Sequence, residues 1–353
     1  MDFLNNLAFW QALWFLLIGA ALFLFIWLDG FDLGIGMNLP FLKQENQKRA
    51  ILNTMWPVWD GNELYGLIAG GAIFATFPVV FAGLLSGLYP WLVLVLVFIM
   101  LRPVVLEAWN NEMGSKALWE WLFAGASFTI PFVAGVALGG TIAGLPYNGK
   151  MEWDSANGFW EVLSPFSVTL GLAVVSVCWV HGSTYVVKKT TGTLADNARA
   201  NLPLQLGAAA VLLVLVVVQA VLLPGALTSF TDGTHPLAIL GLVLALILVL
   251  GGLATVFLNY KKQSETLAFV GSSSLIAGAF VLIGAIQFPT MVHSSLGNQF
   301  DLTIFKEGVS NPLGSLQFIG IVAVIALSIT AVYSILVFRI FKGKVDHKTN
   351  PHY

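Results

Sequence analysis

The chain has 353 residues, of which only 16 are Lys or Arg and 18 are Asp or Glu. It is 10% charged, where a soluble domain carries about 25%, and it is 58% hydrophobic with a mean hydropathy of +0.85. That excludes a disordered chain, a nucleic-acid-binding domain and an ordinary cytosolic enzyme, and leaves an all-α polytopic integral membrane protein. A single cysteine, Cys178, excludes an intrachain disulfide and a Cys-ligated cluster.

Nine apolar stretches, each long enough for a crossing of about 20 residues, run from end to end. They cover 8–37, 51–76, 79–106, 117–142, 160–187, 202–223, 237–258, 267–288 and 313–341. The first ends in Asp29-Gly30-Phe31-Asp32 with no small-residue cleavage site behind it, and reads as a retained helix, not a signal peptide. Pro78 in the short turn after the second span predicts a tight hairpin with the third. Loop charge sets the orientation. Lys43, Lys48, Arg49, Arg102, Lys116, Lys188, Lys189, Arg199, Lys261, Lys262, Arg339, Lys342, Lys344 and Lys348 fall on one side, and only Lys150 and Lys306 on the other. By the positive-inside rule the N-terminus is outside and the C-terminus cytoplasmic.

A faint repeat links the first span (Phe9-Trp10-Gln11 to Trp27-Leu28-Asp29-Gly30) with the fifth (Phe159-Trp160-Glu161 to Trp179-Val180-His181-Gly182). It predicts two parallel four-helix bundles plus one extra helix. The expected units are 1–142, a first bundle with an inner-side acidic cluster; 143–288, a second bundle; and 289–353, an outer loop, the ninth helix and a cytoplasmic tail.

A haem buried among helices needs axial ligands at membrane depth. His347 and His352 fall in the inner tail, His235 and His293 in outer loops, and only His181 at a helix, near its inner end, where it reads as a satisfied interface histidine. No CxxC, HExxH, Walker or dinucleotide-binding pattern is present. Any redox cofactor is therefore expected on another chain.

The remaining candidates are ionisable residues on the inner side of the first helices, where charge is costly and functional by default. Asp29 and Asp32, three apart, share a helix face, as do Asp60 and Glu63. Asp60 lies 11 residues beyond Arg49, about 16 Å along a continuous helix at 1.5 Å per residue. That makes Asp60 and Glu63 the deepest acids. Arg102 and Glu107 close the third span near the inner surface, and Asn62 and Tyr65 add hydrogen-bonding groups. Each also has a plainer reading. Asp29 and Asp32 suit a solvated headgroup level. Arg102 suits snorkelling or a structural ion pair, with Glu107 as its partner. Trp56, Trp59, Trp109, Trp119, Trp121, Trp153 and Trp160 read as interfacial belts, and the paired glycines as close helix packing.

Leu28-Asp29-Gly30-Phe31-Asp32-Leu33-Gly34-Ile35-Gly36, Trp59-Asp60-Gly61-Asn62-Glu63, Ala69-Gly70-Gly71-Ala72 and Leu101-Arg102-Pro103 together resemble subunit II of cytochrome bd-type quinol oxidases. The motifs cover about the first third of the chain; the nine-span topology fits the whole. The resemblance implies a bacterial inner-membrane protein paired with a subunit I that holds two haems b and haem d and the quinol-binding loop. It implies quinol oxidation with dioxygen reduction to water, and a proton gradient built without pumping. It implies no haem in this chain, a structural quinone in some members, and as partners subunit I, small single-helix accessory subunits, lipid and quinol. By position, Asp60 and Glu107 match acids of a cytoplasmic proton path, and Asp32 the second acid of the DGFD motif. Position 65 is Tyr where many members have Trp, and position 109 is Trp where many have Arg. The expected path is Glu107, Asp60 and Glu63, with Asp29 and Asp32, supported by Arg102, Asn62 and Tyr65. Two rival readings are a secondary transporter with a buried acidic site and a purely structural scaffold for subunit I.

Overall fold

The computed structural model describes residues 2–149, 158–223, 236–262 and 264–346. The helices in chain order are α1 (Leu7–Asn38), α2 (Glu45–Met55), α3 (Trp59–Thr76), α4 (Pro78–Asn110), α5 (Lys116–Ala143), the short α6 (Gly158–Glu161), α7 (Pro165–Lys189), α8 (Gly192–Leu222), α9 (Pro236–Lys262), α10 (Glu265–Gln287) and α11 (Leu313–Ile340). Between α10 and α11 a small antiparallel ribbon pairs β1 (Thr290–Val292) with β2 (Leu302–Thr303). Among the described residues, eight helices are long and apolar enough to cross a membrane.

The second expected span, 51–76, is not one helix. It breaks at Trp56-Pro57-Val58. Pro57 cannot donate to the i−4 carbonyl, so the ladder cannot run through it. The residues before the break belong to α2, which starts at Glu45 and buries Ala50, Ile51, Leu52 and Met55. The residues after it form α3, whose first turn carries Asp60. The depth of Asp60 counted from Arg49 along one helix therefore does not hold. At 18 residues α3 is about 27 Å long, close to the ~30 Å hydrocarbon thickness. The hairpin expected at Pro78 is present: α3 ends at Thr76 and α4 starts two residues later, with Pro78 in its first turn. Asn311 closes the open end of α3, its N–H on Thr76 O (2.9 Å) and its Nδ2 on Ala75 O (2.7 Å).

Capping fixes other helix ends. The Asn6 side chain accepts from Ala8 N (2.9 Å) at the start of α1. Ser164 and Ser167 form a capping box at the start of α7, with Pro165 in the first turn. α1 is the hub, packing on α3, α5, α7 and α10. It meets α7 backbone to backbone where Gly34 faces Gly182. A Cβ on Gly34 would lie 2.2 Å from Cys178 O and 2.8 Å from Gly182 Cα, so only glycine lets these backbones touch. One apolar core gathers Trp14, Phe77, Val136, Tyr147 and Leu316; another gathers Phe31, Ile35, Met55, Leu106 and Phe123. Leu, Val and Ile of α8, α9 and α11 stay widely exposed, as a lipid- or partner-facing surface requires.

Candidate functional site

α1, α3 and α4 bring five of the expected residues into one buried cluster. Arg102 Nη1 donates to Asp29 Oδ1 (2.9 Å), Asp29 Oδ2 (3.0 Å) and Glu63 Oε1 (2.7 Å). Beside it, Asn62 Nδ2 donates to Asp32 Oδ2 (2.7 Å) and to Leu28 O (3.2 Å). Asp29, Asp32, Asn62 and Arg102 are fully buried. Glu63 reaches the surface of the chain, with its side chain 14% exposed. The guanidinium also lies 5.9 Å from the centroid of the Phe123 ring on α5. Three carboxyls share one permanent cation, so the cluster has more proton-binding groups than charge to balance them.

Several expected placements change. Arg102 does not snorkel; it is sealed in the core of the chain, because the i±3 and i±4 geometry of α4 turns it towards α1 and α3. Its partners are Asp29 and Glu63, not Glu107. Asp29 and Asp32 are not solvated but are the most buried acids of the set. Asp60 and Glu107 lie on the surface of the chain, outside the cluster. The Glu107 carboxylate accepts from Asn111 Nδ2 (2.6 Å). Tyr65 is buried against α11, its hydroxyl 3.2 Å from Ser334 Oγ. Trp109 is no belt residue. It is buried, its Nε1 donates to Glu120 Oε1 (3.2 Å), and Arg49 and Lys116 lie over its ring at 5.1 and 5.6 Å. Trp153 lies outside the described residues.

Sequence reasoning missed three polar groupings. Lys48 pairs with Glu120 at 2.6 Å, tying α2 to α5; the signal was an acid at the second turn of an apolar helix. Glu45 bridges Arg49 and Lys116 on the same face, and those two hydrogen bonds, first that from Lys116, hold its carboxyl below the ordinary value. His181 is buried in the chain and satisfied, as expected, but by partners the sequence does not name. Its Nδ1 is 2.8 Å from Ser272 Oγ and its Nε2 is 3.0 Å from Trp27 O, while Ser272 also contacts Thr184 Oγ1 at 2.8 Å. Nothing in the local sequence names Ser272, about 90 residues away, as its partner.

A second feature is an apolar cavity of about 360 Å³ between α1, α4, α5, α7 and α10, lined by Phe15, Leu22, Leu138, Val174 and Ile283, with Gln287 in its wall. Gln287 Nε2 donates to Thr141 Oγ1 (3.1 Å) and Met291 O (3.3 Å), which leaves its buried Oε1 without a protein partner.

The family model for cytochrome bd terminal oxidase subunit II matches residues 10–341. The chain belongs to that family. It is 32% identical over 347 residues to cytochrome bd ubiquinol oxidase subunit 2 of Bacillus subtilis (strain 168), covering 95% of this chain and 97% of the relative. It is 29% identical over 377 residues to cytochrome bd-I ubiquinol oxidase subunit 2 of Escherichia coli (strain K12), covering 97% and 98%. Its fold is similar to a chain in the structure of bd oxidase from Geobacillus thermodenitrificans, with a TM-score of 0.66 at 16% identity over 94% of this chain and 98% of that one. As a subunit II, the chain is part of a terminal oxidase. The buried cluster is built from this family member's own DGFD, WDGNE and LRP residues.

Proposed function

We propose that this chain is the haem-free subunit II of a quinol-oxidising, dioxygen-reducing complex of the bacterial inner membrane, and that its acid cluster forms part of a proton path from the cytoplasm to subunit I. The observation that carries the reading is the Asp29–Arg102–Glu63 group with Asp32 beside it. Buried acids in excess of their cation, one of which reaches the surface of α3, are what a proton relay through a membrane needs. Forming two waters from one dioxygen takes four protons, and a buried reaction site receives them only through titratable groups or waters. Asp60, exposed on the first turn of α3, and Glu63, one turn on, supply the entry, and Asp32 the interior. Arg102 and Asp29 hold the geometry. Glu107 lies on the surface of α4 and serves as an outer acceptor at the mouth.

In this reading α3 completes nine crossings, and the thirteen basic residues left on one side once the buried Arg102 is set aside favour an outside N-terminus. The edge of α3 that carries Asp60 and Glu63 then faces subunit I, because the proposed path has to pass into that subunit. The haem-free reading is supported by the two histidines among the described residues. Both ring nitrogens of His181 are committed, and His293 Nδ1 is held 3.1 Å from Asp301 Oδ2 in the loop between α10 and α11. His235, His347 and His352 lie outside the described residues. The apolar cavity is the place we assign to a structural quinone, its aliphatic walls taking the prenyl tail.

The test uses the assembled complex carrying Asp60→Asn, Glu63→Gln or Asp32→Asn. Slower quinol-driven oxygen consumption with full haem content is expected. Undiminished turnover in all three would overturn the relay and leave a scaffold role, and loss of haem would assign the acids to assembly.

A further inference from the structure

Four polar atoms in the core of α1, α4 and α5 are buried without a protein partner: Asp32 Oδ1, Arg102 Nε, Arg102 Nη2 and Ser127 Oγ. They belong to one region. Asp29, Asp32 and Gly36 are spaced three and four apart and share a face of α1. Gly36 meets α5 so closely that a Cβ there would lie 2.0 Å from Ser127 Oγ and 2.9 Å from Phe123 Cε1. Phe123 precedes Ser127 by one helical turn, and its ring is the one under the Arg102 guanidinium. Ser127 and Arg102 therefore border the same aromatic ring, on the face of α1 that carries Asp32.

The hydrogen-bond inventory is specific. Arg102 Nη1 is taken up by Asp29 and Glu63, while Nε and Nη2 keep three N–H donors. Asp32 keeps an acceptor, and Ser127 can give or accept. The surrounding side chains Phe31, Leu106 and Phe123 are apolar and cannot serve them. Leaving such groups unmet is costly, and a buried water typically meets about three of them at once. A second consequence concerns proton movement. Asp29 and Glu63 meet at the same Nη1, and a guanidinium neither takes nor releases a proton at any working pH. Direct transfer through Arg102 is closed, so a proton must go round it.

We propose that Asp32, Arg102 and Ser127 hold a small cluster of internal waters, and that Ser127 positions the water through which a proton passes between Glu63 and Asp32. This rests on the proton-path reading above. Each water accepts a proton from one neighbour as it gives one to the next, so no water is consumed and no charge is left behind. Ser127 acts here as a positioning residue; its hydroxyl orients the water and does not itself change protonation.

The experiment is Ser127→Ala in the intact oxidase, read by turnover, by haem content, and by the water O–H stretching bands that shift in H2(18)O in redox difference infrared spectra. A roughly three- to tenfold loss of turnover, the equivalent of one hydrogen bond, with unchanged haem and loss of a water band, is expected. Ser127→Cys, of similar size with a weaker donor, is expected to fall between, and stands in if the alanine variant does not assemble. Asp32→Asn separates the two readings. If Asp32→Asn slows turnover while Ser127→Ala leaves both turnover and bands intact, the water cluster is overturned and the path survives. If Asp32→Asn alone leaves turnover intact, the transfer step between Glu63 and Asp32 is overturned, and with it the role of Ser127; if Asp60→Asn and Glu63→Gln leave it intact as well, the path reading itself fails.

Discussion

Arg102 is the residue on which the cluster depends. A cation in the core of a membrane-spanning bundle is stable only when paired, and the pairing here is double, with Asp29 at 2.9 Å and Glu63 at 2.7 Å. Arg102→Leu leaves both acids without their cation. It is expected to cost about 3–5 kcal/mol, measured as a lower unfolding temperature and yield of the purified complex. The double variant Arg102→Leu/Asp29→Asn removes the cation together with its fully buried partner, leaving only the partly exposed Glu63 unpaired, and should recover part of that loss. Equal instability of the single and the double variant would show that the pair is not what holds the site. Glu63 is different in kind, since it touches the surface and can exchange protons with what lies outside the bundle.

At the scale of helices, the site exists because α1 is pinned from two sides. α7 presses on it through Gly34 and Gly182, and α3 and α4 deliver Asn62, Glu63 and Arg102 to its other face. Gly34→Ala drives a methyl group into the α7 backbone and is expected to destabilise the chain by about 1–3 kcal/mol or more. Gly70→Ala, on α3 with nothing within 4 Å of its added Cβ, is the contrasting case and should be neutral or stabilising by under about 1 kcal/mol. Thermal unfolding of the two variants in detergent checks the contrast, and equal effects would remove the close approach as the cause. The break before α3 has its own consequence. Because the chain stops and restarts at Pro57, Asp60 occupies a first turn at the chain surface instead of a mid-helix position.

For the molecule as a whole, the exposed surface is uneven. α8, α9 and α11 show lipid-like faces of Leu, Val and Ile, whereas α3 shows Leu64, Leu67 and Phe74 together with Asp60. A face with a carboxylate at a membrane-spanning helix is expected to be covered by subunit I. Single cysteines placed at Leu67 and, on α9, at Ile247 test this in the assembled complex, since both positions are over 60% exposed in the lone chain and native Cys178 is buried. A lipid-soluble maleimide should label Ile247→Cys and spare Leu67→Cys. Equal labelling would place α3 against lipid.

The membrane class, the long helices and the residues of the buried polar cluster were legible in the amino-acid order, because hydropathy adds up residue by residue and charge is scarce enough to notice. Asp29, Asp32, Asn62, Glu63 and Arg102 could be named that way. Their grouping could not. The 51–76 stretch reads as one span on apolar count, yet Pro57 divides it, and the depth of Asp60 changes with it. Arg102 has Glu107 five residues away, but pairs with residues 73 and 39 positions distant. Which acid meets the cation depends on which helix faces align, and that follows from glycine contacts such as Gly34 on Gly182. Hydropathy is a property of single residues and fixed the solvent; burial and pairing belong to packed helices, so only the tertiary structure decided the site.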